Sequence, residues 1–157
     1  MSLDGAWRFN RTYDFAGQYV MAHTSEPKRA DLNVEVDLPH ALNDADTTRF
    51  DLGKHTNLLD GESYYGDAFI TRLNRGTRHW YSFIGFNQIA PTYRTQVGYD
   101  HVANHRTMEA YTGVSILPKG GPIQIINPQV YYSRRWDFKS GVCRFDQLNS
   151  SIDIFTR

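Results

Sequence analysis

The stretch RTMEAYTGVSIL, Arg106 to Leu117, changes side-chain character at every step. Met108, Ala110, Val114 and Ile116 share one side, and Thr107, Glu109, Tyr111, Gly113 and Ser115 share the other. Successive side chains of a strand point to opposite faces, so this pattern predicts a half-polar β-strand. A carboxylate in mid-strand must be paired or face water, so Glu109 is expected to face a wet interior near an Arg. The pattern leaves two solvents open for the apolar side: a protein core, or lipid.

Working outward, strand formers and turn signals dominate and helical periodicity is nearly absent. LDGAWRFNR sets Leu3, Gly5, Trp7 and Phe9 opposite Asp4, Arg8 and Asn10, and FAGQYVMAHT returns, so residues 3–24 read as a hairpin. ESYYGDAFITRLNR and RHWYSFIGFNQ flank RGT, YRTQVGYDH and RTMEAYTGVSIL flank VAN, and PIQIINPQVYYSRRWDF and GVCRFDQLNSSIDIFTR flank KS. The expected fold is all-β: an antiparallel up-and-down meander of about eight strands in four hairpins, forming a barrel or part of a larger membrane barrel. The strands read as about 12–16 residues, against ~5–6 for ordinary globular strands. Residues 1–157 are expected to form one domain. Within it 25–61 is a long acidic loop with a small hairpin or lid, including the alternating DLNVEVDL (31–38).

The chain carries 17 basic and 17 acidic residues, so the electrostatic reason to propose a nucleic-acid partner is missing. Aromatic residues make up 14%, and Tyr and Trp favour boundaries between dry and wet. With one cysteine, Cys143, no internal disulfide can form. The opening MSLDGAWRF has neither a basic start nor an apolar run, so no signal peptide is expected. No stretch approaches the ~20 apolar residues of a membrane helix. A spanning barrel strand needs only ~9–11 residues of alternating character.

Chemical motifs are weak. His101 and His105 have the i, i+4 spacing of helical metal ligands but bracket a turn, and Asp44, Asp46 and Asp51 lack the Gly and Glu of an EF-hand loop. No cofactor and no metal is expected. No GxSxG occurs, and Ser115 reads as a structural strand serine. Arg72, Arg75 and Arg78 gather around the turn LNRGTRHW, where they read either as a ligand-facing, anion-attracting rim or as a solvated turn. With Glu109 they are the candidate ligand-facing residues. No catalytic residue is assigned, and the chain reads as more consistent with a non-enzyme.

IAPTYRTQVGYDHVANHRTMEAYTG resembles a block of an uncharacterised bacterial outer-membrane β-barrel family. There a strand ends in Ser/Ala-Pro-x-aromatic-Arg, the next carries a Gly-aromatic pair, and an Arg follows. Ala90, Pro91, Tyr93, Arg94, Gly98, Tyr99 and Arg106 match those positions. SLDGAWRFNRTYDFAGQYVMAHTSEP and HTNLLDGESYYGDAFITRLNRGTRHW are similar to upstream segments, so the likeness covers about residues 3–137. Members carry the barrel after a family-nine-like carbohydrate-binding module. The resemblance implies a partial or truncated member, located in the bacterial outer membrane, and no catalytic residue. The ending IFTR departs from the terminal aromatic of a barrel-insertion signal, with Phe155 close by.

The leading expectation is therefore a non-enzymatic segment of an outer-membrane barrel, in contact with lipid and handling saccharides or other envelope solutes. It requires two outward aromatic bands about 25 Å apart, with Arg, Glu and Gln inward. The alternative is a soluble, secreted or periplasmic β-sandwich or barrel that binds carbohydrate through Trp7, Trp80, Trp136 or paired tyrosines. A third class, an enzyme using Glu109 or an acid of 25–61, ranks below both.

Overall fold

A computed structural model describes residues 1–28, 49–56, 61–93 and 103–156. Seven strands form one antiparallel sheet in the order β1 (Ser2–Phe9), β2 (Tyr13–Ser25), β5 (Ser63–Gly76), β6 (Trp80–Ile89), β7 (His105–Val114), β8 (Ile123–Asp137) and β9 (Cys143–Thr156). Within the β2–β5 connection, β3 (Arg49–Phe50) pairs with β4 (His55–Thr56) as a separate two-stranded hairpin. There is no helix among the described residues.

The all-β, up-and-down antiparallel expectation holds, with two corrections. The sheet is open: β1 and β9 are its edges and do not meet. Among the described residues it has seven strands, in line with the expected number of about eight, but their pairing differs: β7 is held on one side by β6 and on the other by β8. Both edges of β7 are used, so the expected hairpin between 93–101 and 106–117 does not form. The strand expected there falls mainly on 94–102, outside the described residues. Lengths run from 8 residues in β1 to 15 in β8, so only the longer strands reach the expected range. The expected small hairpin lies at 49–56; DLNVEVDL is outside the described residues.

Local chemistry sets the boundaries. The β1–β2 turn has Asn10 and Arg11 both at positive φ, 51° and 54°. That left-handed pair matches the right-handed strand twist of a tight hairpin. Proline has no N–H to give a ladder. Accordingly β6 stops at Ile89, ahead of Pro91, and the β7–β8 ladder ends at Gly113–Gln129, beside Pro128, before one bridge, Ile116–Ile126.

The seven strands of the sheet contact only their ladder neighbours within it, so the sheet is a single layer. Its apolar core is correspondingly slight: Tyr64, Ala68, Ile89 and Ala90 are the buried hydrophobic residues, and no large side chain is fully enclosed.

Candidate functional site

The registers divide the strand residues into two unlike faces. One carries Leu3, Trp7, Phe15, Tyr19, Tyr65, Leu73, Trp80, Ile84, Met108, Val114, Val130, Leu148, Ile152 and Ile154, all exposed. The opposite face has only Ile70, Tyr81, Phe145 and Phe155 as exposed large hydrophobics. On the first face no Asp, Glu, Lys or Arg interrupts β1, β2 from Tyr13 to Met21, β5 from Phe69 to Leu73, β6, β7 from Met108 to Val114, β8 from Ile126 to Tyr132, or β9 from Leu148 to Ile154. Its charges, Asp67, Arg75, Arg106, Arg134 and Asp146, lie outside these stretches, with Arg134 and Asp146 4.0 Å apart.

Aromatic rings gather at both ends of this apolar face. At the short-turn end Trp7 and Phe9 lie 5.0 Å apart and Phe9 stacks on Tyr13 at 5.2 Å. The Arg75 guanidinium sits 3.9 Å from the Trp80 ring centre and 5.5 Å from that of Tyr13. Trp80 Nε1 donates to Thr112 Oγ1 at 2.9 Å. At the other end His23 and Tyr65 are 4.5 Å apart, and Phe86 lies 6.3 Å from both Phe69 and Trp136. Arg106, beside Trp136, donates to Gln88 Oε1 at 3.0 Å and covers the Phe138 ring at 4.5 Å. Trp7, Trp80 and Trp136 thus share one face but not one platform: Trp136 lies level with Gln88, eight residues along β6 from Trp80.

The opposite face is a polar network. Arg72, Gly85 and Glu109 are register partners across β5, β6 and β7. A Cβ on Gly85 would meet nothing nearer than the Thr71 carbonyl oxygen at 3.8 Å, so the strip between Arg72 and Glu109 is open. A depression of about 200 Å³ lies there, with Ile70, Asn87, Thr107 and Arg135 completing its walls. Glu109 accepts from the Tyr131 hydroxyl at 3.0 Å, and Arg135 Nε donates to Thr107 Oγ1 at 3.3 Å. Arg72 lies 3.7 Å over the Phe83 ring, which stacks on Tyr111 at 5.6 Å and meets Tyr81 edge-on at 6.4 Å. Tyr111 donates to Gln129 Oε1 at 2.7 Å, and Gln129 Nε2 donates to Ser151 and Asp153, each at 2.9 Å. Nearer the β1 edge, Arg8 donates to Asp14. Many of these groups pair with one another, while the Asn87 and Asn127 amide oxygens are buried without a hydrogen-bond partner, so the face presents hydrogen-bonding groups of both signs.

The three turn arginines are not brought together. Arg72 is on the polar face, Arg75 is on the apolar face against Trp80, and Arg78 is in the exposed turn. Glu109 lines the same depression as Arg72 and Arg135. Of the motif residues, Pro91 is buried just after β6, Tyr93 donates its N–H to the Ala90 carbonyl at 3.1 Å, and Arg106 stands at the aromatic rim. Arg94, Gly98 and Tyr99 lie outside the described residues, as does His101. Among the described residues no three His, Cys, Asp or Glu side chains gather.

Several contributors were missed in the sequence. Gly66 is one: a Cβ there would come within 2.3 Å of the Thr92 backbone, so it seats the 90–93 segment on the polar side. Gln129, Tyr131 and Arg135 are others, although their spacing of two in QVYYSRRW was a usable signal. Over the loop end, the β3–β4 hairpin is tied to its surroundings by several contacts, among them His55 Nδ1 at 3.2 Å from Glu62 Oε2. Lys139 Nζ lies 3.3 Å from Asp51 Oδ1, and the His55 and Tyr64 rings are 4.9 Å apart. No family model, curated protein or solved structure matches this chain.

Proposed function

We propose that this chain is a wall segment of a β-barrel spanning a bacterial outer membrane, with the apolar face toward lipid and the polar face lining a wet interior. One observation carries the reading. The middle of the apolar face, level with Phe15, Leu73, Ile84, Ala110 and Tyr132, is free of charge, and its charged residues Asp67, Arg75, Arg106, Arg134 and Asp146 lie toward the two aromatic ends, while the polar face carries Asp4, Arg8, Asp14, Arg72, Glu109, Arg135 and Asp153. A soluble sandwich would turn its apolar side chains inward against a second layer.

The dimensions agree. Tyr65 and Arg75 on β5 are level with His23 and Tyr13, ten residues apart. At ~3.3 Å per residue that is roughly 33 Å along the strand. A tilt of about 40° reduces it to roughly 25 Å, the height of a barrel's apolar band. Connections 10–12, 77–79 and 115–122 at one end are shorter on the whole than 26–62, 90–104 and 138–142 at the other, in the sense of the two sides of such barrels, although 138–142 is itself a tight turn. The likeness of IAPTYRTQVGYDHVANHRTMEAYTG to an outer-membrane family points the same way. The role is non-enzymatic, and the mixed donors and acceptors over Gly85 suit hydroxyl-rich solutes such as saccharides. A soluble carbohydrate-binding module is less well supported, since its Trp residues sit at opposite ends of the face.

Fractionation of the expressed chain, with gel mobility before and after heating, tests the proposal. The chain belongs in the outer-membrane fraction and migrates faster unheated. A monomer that stays in solution without detergent overturns it.

A further inference from the structure

We infer that the wall is completed by an odd number of further strands, supplied from outside the seven, each running opposite to the edge it meets. This rests on the wall reading above and adds what meets its two edges. Seven strands joined antiparallel leave β1 and β9 pointing the same way. Joining those edges to each other would make one parallel ladder in an otherwise antiparallel sheet, whereas bacterial barrels close with an even number of antiparallel strands. A second copy does not solve this. Rotation about the membrane normal preserves strand direction, so β9 of one copy would meet β1 of the next in parallel. Only an odd insertion restores alternation.

The edges are built for pairing. Ile116 and Ile126 exchange both backbone bonds, at 2.9 and 3.0 Å, so the Ile126 N–H points to β7. Its β9 partner, Ile154, therefore aims its own N–H away from β8. Alternation puts the N–H groups of Ile152 and Ser150 in the same outward row. On the other edge Met1 and Met21 exchange both bonds, at 2.8 Å, so Ser2, Asp4, Ala6 and Arg8 aim theirs outward. Lipid offers these groups no water. Natural free edges are guarded by Lys, Pro or inward charge; β9 contains neither Lys nor Pro, and from Leu148 to Ile154 its apolar face is uncharged, with Ser150 between Leu148 and Ile152 and the one charge of that face, Asp146, nearer the strand's start. Each adjoining strand is therefore an extended segment, apolar at alternate positions in step with Leu148, Ile152 and Ile154 and polar in step with Gln147, Asn149 and Ser151.

The test uses protein extracted in detergent from the membranes of the cell that makes it. Amide exchange at Ser150 and Ile152 is expected to be as slow as within β8, and electron cryo-microscopy is expected to count an even total with antiparallel neighbours at both edges. Ile152→Pro should abolish the assembled form as completely as Ser151→Pro, whose N–H points to β8. Fast exchange at Ser150 and Ile152, an assembled Ile152→Pro, or β9 lying parallel against β1 overturns the inference while the membrane reading stands. A protein absent from the membrane fraction removes both.

Discussion

The Tyr131 hydroxyl reaches diagonally from β8 to β7 and donates to Glu109 Oε1 at 3.0 Å. Neither residue is the other's register partner: Glu109 opposes Ser133, and Tyr131 opposes Tyr111. A bond to a charged acceptor contributes about 1.5–3 kcal/mol, less where water competes. Tyr131→Phe is predicted to destabilise by about 1–2 kcal/mol, and Glu109→Gln, which keeps an acceptor, by less. Urea unfolding in detergent reads both; equal midpoints for Tyr131→Phe and the parent would refute a structural role for this pair.

Gly66 and Gly5 make a matched test of close approach. A methyl group on Gly66 collides with the Thr92 backbone at 2.3 Å, whereas one on Gly5 meets nothing within 4 Å. Gly66→Ala is predicted to cost about 1–3 kcal/mol, in the range of overpacked sites, and Gly5→Ala to be neutral or slightly stabilising. Thermal midpoints that rank the two in reverse would contradict the placement of 90–93.

A charge distinguishes the faces directly. Ile84, more than half exposed, lies between Leu73 and Ala110 on the apolar side. Gln18, on the polar side, opposes Asp4. On the lipid reading Ile84→Arg costs about 2–4 kcal/mol near mid-membrane and depletes the heat-modifiable band, while Gln18→Arg leaves it intact. Equal tolerance of both would count against lipid on the first face.

The Lys139–Asp51 pair ties the β8–β9 turn to the β3–β4 hairpin. Lys139 is partly exposed, so the pair is worth about 0–1 kcal/mol. Lys139→Ala is predicted to leave global stability nearly unchanged but to speed tryptic cleavage at Lys54. Unaltered cleavage would mean that the contacts of His55 with Glu62 and Tyr64 hold the hairpin without Lys139.

Much of this fold was legible in residue alternation. Met108, Ala110 and Val114 against Thr107, Glu109 and Tyr111 specified β7, and Leu3, Trp7 and Phe9 specified one face of β1. Pairing was less legible, because alternation says which way a side chain points and not which strand lies beside it. That is why β7 was expected to pair with 93–101 and is instead found beside β6. The polar network was the hardest part to read. Arg72 and Glu109 meet over Gly85 only through the register of three strands, and proximity along the chain grouped Arg72 with Arg75, which points the other way.

Contacts confined to ladder neighbours give the molecule the energetics of a row of tiles. A disturbance at Trp7 reaches Leu148 only by passing through six ladders in turn. Two lesions at opposite margins should therefore add without coupling, to within about 0.5 kcal/mol, as a double-mutant cycle on Trp7→Ala and Leu148→Ala would measure. Such a chain loses order tile by tile from its margins rather than through the collapse of a shared centre.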